Sequence, residues 1–144
     1  MTADTDRCAT APAGLKALVQ RLVDEAMNGE DLAVVDELCT QRLAPKLRGA
    51  YEQFRAAFPD WHQEVVELVE EGNTVVARLR CTGTQLADWD GLPATGRTMH
   101  VDEVQIFHFA DGHIAHVWAL EDTWARRRQL TGEDTTADDL GALG

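Results

Sequence analysis

The dipeptide Asp111-Gly112 stands between two β-rich runs, 101–110 and 113–122, and constrains the fold of this chain more than any other feature. A two-residue hairpin loop of type I′ needs positive φ at both central positions, which Asp-Gly tolerates, and so short a loop fixes which residues oppose one another. Pairing Ala110 with His113 predicts Phe107 opposite His116, Gln105 opposite Trp118, Glu103 opposite Leu120 and Val101 opposite Asp122. Opposed residues share a face of the ribbon. One face is then expected to carry Glu103, Gln105, Phe107, His116, Trp118 and Asp122 among apolar neighbours, the mixture from which ligand cavities are built. The other is expected to carry Val104, Ile106, Val117 and Ala119, an apolar surface that a second sheet or subunit would cover.

At 144 residues the chain is long enough for one domain to bury a core without metal or disulfide staples. Its 25 acidic against 13 basic side chains, a formal charge of -12, argue against a nucleic-acid binder or a partner of anionic membrane, both of which need a basic surface. Cys8, Cys39 and Cys81 are odd in number and form no Cys-x-x-Cys pair, so neither a disulfide framework nor a zinc knuckle is expected. No signal-like apolar core opens the chain and no run approaches the length of a membrane span, so the expected location is the cytoplasm.

Residues 1–13, small, polar and broken by Pro12, read as a flexible arm. Leu15, Leu18, Val19, Leu22, Val23, Ala26 and Met27 recur at three and four residues and predict a helix that Asn28-Gly29 ends. A second short helix is expected over 31–39. Pro45 suits the first turn of a third, whose stripe is Leu47, Tyr51, Phe54 and Phe58 and which Pro59 closes. From His62 the pattern becomes β-branched and alternating, predicting a strand to Glu71 and another over 74–84 before the hairpin. The stretch 131–144 is acidic and reads as a flexible tail. Helices followed by antiparallel strands give a single α+β domain over 14–130, with a curved sheet wrapped against three N-terminal helices and a cavity between them.

Phe58-Pro59-Asp60, Glu71-Gly72-Asn73, Gly83-Thr84, Gly91-Leu92-Pro93-Ala94-Thr95-Gly96-Arg97, the hairpin, His116-x-Trp118-x-x-x-Asp122 and Gln129-Leu130, in this order and spacing, resemble the SnoaL-like polyketide cyclases (ester cyclases) of the nuclear-transport-factor-2-like superfamily. The resemblance covers about residues 15 to 130 and implies a cone-shaped fold. It also implies a cofactor-free intramolecular aldol closure of an aromatic polyketide methyl ester. Asp122 would be acid and base and His116 would assist, in a dimer or higher homo-oligomer with no metal. Two departures stand out: Gln85 where the family usually has His after Gly-Thr, and His108 where it usually has Arg.

Each candidate has a structural alternative. Asp122 at a strand end is either the catalytic acid or a helix cap, and Glu103 is either a site carboxylate or the partner of Arg78 or Arg80. Trp118, Phe107, Gln105, Trp61, Tyr51 and Phe54 are candidate substrate contacts that equally suit the core. In the expected register His108 points away from His116, so the histidines do not form a metal site. The competing activities are cofactor-independent hydroxylation and epoxide hydrolysis, for which Arg78 and Asp102 would join Asp122. A non-catalytic protein that holds a flat apolar ligand is the reading outside enzymes.

Overall fold

A computed structural model describes residues 14–133; the arm 1–13 and most of the tail lie outside the described residues. Helix α1 (Leu15–Arg21) continues directly into a π-helical turn, Leu22–Met27, and is followed by α2 (Ala33–Leu38) and α3 (Ala44–Ala57). Four strands come next: β1 (His62–Glu71), β2 (Thr74–Thr84), β3 (Thr98–Ala110) and β4 (His113–Glu121). Helix α4 (Thr123–Thr131) completes the described chain. The strands form one antiparallel sheet in the order β1-β2-β3-β4, and the architecture is the expected α+β cone.

The apolar stripe of α1 and its π-helical turn faces inward, with Val19, Leu22 and Ala26 inaccessible to solvent and Leu15 and Leu18 half-buried against the core. Asn28, where the helix was expected to stop, also fastens it to the sheet. Its side-chain amide donates to the Gln63 carbonyl and accepts from the Gln63 amide, both at 2.8 Å, in place of a neighbouring strand. Pro45 sits in the first turn of α3, as its missing amide favours. Past α3, Asp60 accepts from the amide and the hydroxyl of Thr84 at 2.7 Å each and ties the helix end to β2. Gly83 lets Phe58 pack directly on that strand, since a Cβ there would lie 3.1 Å from the Phe58 Cβ.

The turn residues Asp111 and Gly112 take φ values of 50° and 80°, as a type I′ loop requires. The register beyond the turn differs from the expected one. Ala110 faces His113 and Phe109 faces Ile114, but a bulge at Ala115 then puts His108 opposite His116, Ile106 opposite Trp118, Gln105 opposite Ala119 and Glu103 opposite Glu121. One unpaired residue inverts the facing of everything after it. Val117, Ala119 and Glu121 therefore point inward, and Trp118 and Leu120 join Val104 and Ile106 on the outer face, 47% and 61% exposed. Beside the bulge, β4 is engaged from its outer edge: Thr40 donates to the Ile114 carbonyl at 2.9 Å.

Glu103 does not pair with the arginines of β2. Arg78 and Arg80 instead reach across the outer face to Glu67 and Glu64 on β1, at 3.5 and 3.6 Å. No helix among the described residues is long and apolar enough to cross a membrane.

Candidate active site

Between α3 and the inner face of β3 and β4 lies a cavity of about 690 Å³, within the range of small-molecule sites. Helix α3 presents Leu47, Tyr51 and Phe54 at spacings of four and three, so one helix face forms one wall, extended by Leu43 and by Met27 from the π-helical turn. Val117 and Ala119 form the facing wall, and the small Ala119 leaves room that a larger side chain would fill. Polar groups gather at the deep end. Glu103, Gln105 and Gln63 are all buried there, with Glu121 opposite Glu103. The shallow end carries the exposed Arg42, Lys46 and His116.

Glu103 is 4% exposed. Burial raises its pKa above the ordinary carboxylate value, while hydrogen bonds from Gln105 and Cys81 and the charge of Arg126 partly offset that rise. The Gln105 amide donates to one carboxylate oxygen and the Cys81 thiol to the other, at 3.4 Å for the thiol. Gln63 in turn donates to the Cys81 sulfur at 3.7 Å. The chain Gln63–Cys81–Glu103–Gln105 thus holds one carboxyl in a fixed orientation at the end of an apolar cavity. Tyr51, on the α3 wall, has its hydroxyl pKa raised by burial first and by the nearby Cys39 and Glu103 next.

Arg126 on α4 forms an ion pair with Glu121, the two side chains being 7% and 14% exposed. Its guanidinium also lies 5.9 Å from the ring centroid of Phe54 and 5.8 Å from that of Trp89. Desolvation lowers the Arg126 pKa, and Cys81, Glu103 and Asp90 counter it. Neither Glu121 nor Arg126 was among the expected site residues. The signal for them is the i, i+4 pair Arg126 and Leu130, which puts a cation on the buried face of α4 and calls for an inward carboxylate nearby.

Of the expected site residues, Glu103, Gln105, Tyr51 and Phe54 line the cavity, and His116 reaches its rim. Phe107 and Trp61 are core: Phe107 is wholly buried between Val75 and Val117, and Trp61 packs on Phe54 and Phe58 at 4.4 and 5.7 Å. Trp118 lies on the outer face. Asp122 is exposed and caps α4, accepting from the Ala125 amide at 3.0 Å. It borders a small concavity outside the main cavity, shared with Arg78, Asp102 and the flanks of Glu103 and Glu121. Asp102 and Asp122 were expected on opposite faces, and the bulge brings them together. It also sets the rings of His108 and His116 5.7 Å apart on one face, contrary to the expected divergence. No group of three or more metal-binding side chains occurs among the described residues.

Gln85, the departure from the Gly-Thr-His pattern, is wholly buried and anchors the loop after β2, donating to the Leu92 carbonyl at 3.0 Å and accepting from Thr95 at 3.1 Å. Trp89 from that loop stacks on Phe54 at 4.7 Å and backs the α3 wall, rather than covering the mouth as a rim loop would.

Several solved structures share this fold. TsrD from Streptomyces laurentii is 27% identical with a TM-score of 0.74, the match covering 82% of this chain and 98% of that one. IdmH from Streptomyces antibioticus, described as a candidate polyketide cyclase, is 23% identical with a TM-score of 0.72, covering 81% and 97%. AclR from Streptomyces galilaeus, described as a candidate hydroxylase, is 22% identical with a TM-score of 0.73, covering 83% and 96%. No curated protein matches the chain significantly. The profile of the SnoaL-like polyketide cyclases matches residues 17–130, from within α1 to within α4, and the chain belongs to that family.

Proposed function

We propose that the chain binds a flat, largely apolar polyketide-like molecule between α3 and the β3–β4 wall and closes a ring in it by an intramolecular aldol step, with Glu103 as the proton-transfer group. The Glu103 carboxylate takes a proton from the carbon α to a carbonyl, and the enolate carbon attacks a second carbonyl of the same molecule. The protonated Glu103 then returns the proton to the new alkoxide. One C–C bond forms, the product is an isomer of the substrate, and no oxidant or reductant enters. The supporting observation is a buried carboxyl with a raised pKa at the deep end of an apolar cavity, which suits a base working near neutral pH. Gln63 and Tyr51 are placed to donate hydrogen bonds to a ligand carbonyl, and the aromatic wall of Phe54 offers a flat surface.

A second reading keeps Asp122 as the acid and base, without His116, which stands six strand residues away, roughly 20 Å along β4, and does not border the Asp122 concavity. It is favoured by the concavity at Asp122, which reaches the flanks of Glu103 and Glu121. Incubating wild type, Glu103→Gln and Asp122→Asn with tricyclic polyketide substrates and reading products by mass spectrometry separates the two. The Glu103 reading predicts a mass-neutral product lost in Glu103→Gln, by roughly 10²- to 10⁴-fold in rate, and kept in Asp122→Asn; the reverse pattern overturns it. One added oxygen would indicate hydroxylation and one added water epoxide opening. A ligand retained without turnover would indicate a binding protein.

A second copy is the proposed cover of the outer sheet face, where Val104, Ile106, Trp118 and Leu120 form an apolar row that can meet its own image across a twofold axis. Light scattering showing a stable monomer at micromolar concentration would overturn this.

A further inference from the structure

We propose that the ligand of this cavity carries a carboxylate, held at the mouth by Arg42 and Lys46 while its apolar body runs inward to Glu103. The inference rests on the reading of the cavity as the ligand site. Basic residues are scarce in this chain, and most arginines are already engaged: Arg21, Arg48, Arg55, Arg78, Arg80 and Arg126 each face a carboxylate. Arg42 and Lys46 stand apart. Both line the cavity, both are exposed, and neither side chain makes an ion pair or hydrogen bond with another described residue. They come from the turn before α3 and from its first turn, so they share one side of the opening.

The charges along the cavity are thus graded. Two cations lie at the mouth, and two carboxyl side chains, Glu103 and Glu121, lie at the deep end with Arg126 already paired. An anionic group placed deep would meet those carboxylates and lose its hydration with no free cation to replace it. At the mouth the same group keeps part of its hydration and gains two cations, so the gradient fixes the direction in which the ligand enters. The bearing on substrate is specific: the favoured ligand is a free acid, where the family resemblance alone implies a methyl ester.

The net charge of the protein sharpens the test. A formal charge of -12 repels an anion from most of the surface, so without a local site an ester should bind at least as well as its acid. The probes are 1-pyrenebutyric acid and its methyl ester, titrated by fluorescence against wild type, the Arg42→Ala/Lys46→Ala double variant and Ala119→Phe, which narrows the cavity. The proposal predicts that wild type binds the acid roughly three- to tenfold more tightly than the ester at low salt, the size of two exposed ion pairs. Raising the salt should shrink that preference, and the double variant should abolish it by weakening the acid more than the ester. Equal affinities in wild type, or a preference that survives the double substitution, would overturn the proposal and leave the cavity reading intact. Failure of both probes to bind, or binding of both unaffected by Ala119→Phe, would overturn the cavity reading and the proposal together.

Discussion

Replacing Arg126 with Met keeps most of the apolar stem and removes the charge. The Glu121 side chain is 14% exposed, and its partner in the ion pair is 7% exposed. Breaking a buried pair by removing one member strands the other, at about 3–5 kcal/mol. The contacts of the guanidinium with Phe54 and Trp89 add roughly 0.5–1 kcal/mol at such distances. Helix propensity adds almost nothing, since Met and Arg are nearly equal helix formers. The total, about 3–6 kcal/mol, is a large part of the stability of a domain this size. Urea denaturation at pH 7 should show the loss as a lower midpoint with an unchanged slope. The Arg126→Met/Glu121→Gln double variant leaves no stranded charge and should recover more than half of it, a coupling on the order of 2–3 kcal/mol. A single-variant loss below about 1 kcal/mol, or additive effects in the double variant, would refute a buried pair at this position.

Three further outcomes follow from the same geometry. The folded-state pKa of Glu103 is raised, so its contribution to stability is complete below the ordinary glutamate pKa and is lost as pH rises through the folded value. Glu103→Gln should therefore gain on wild type in urea melts as pH rises above the ordinary glutamate pKa of about 4.3, and a difference that stays constant with pH would contradict the burial. Asp60→Ala removes both hydrogen bonds to Thr84 and should cost about 1–2 kcal/mol, read as a fall in Tm; an unchanged Tm would contradict the tie between α3 and β2. Asp122→Ala uncaps α4 and should cost about 0.5–2 kcal/mol while leaving affinity for a ligand in the main cavity unchanged, a result that calorimetry would check.

The legible parts of this fold are those written in local chemistry. The stripe from Leu15 to Met27, Pro45 at the start of α3, the β-branched run of β2 and the Asp111-Gly112 turn each follow from spacing or from a conformational need of one or two residues. The bulge at Ala115 has no such signature. Alanine is unremarkable in a strand, and what engages β4 there is the chain at Cys39 and Thr40, far away in sequence. That one residue moved Trp118 and Leu120 outward and brought Val117, Ala119 and Glu121 inward, so the facing expected along β4 does not hold beyond Ala115, whereas that along β3 does. Glu103 and Gln105 kept their places because β3 pairs with β2 without interruption from Thr74 to Thr84. Tyr51 and Phe54 kept theirs because a helical stripe does not depend on strand register. Asp122 drew attention through a motif, yet the same spacing places it where a helix begins, and an Asp there is equally a cap.

The central claim is that Glu103 moves the proton at the substrate α-carbon. Its most direct test is deuterium uptake: a tricyclic polyketide with an acidic α-carbon is incubated in D₂O with wild type, Glu103→Gln and Asp122→Asn, and exchange at that carbon is followed by NMR. The account predicts fast exchange with wild type and with Asp122→Asn, and background exchange with Glu103→Gln although that variant still binds the compound. Exchange that persists in Glu103→Gln and disappears in Asp122→Asn would contradict it.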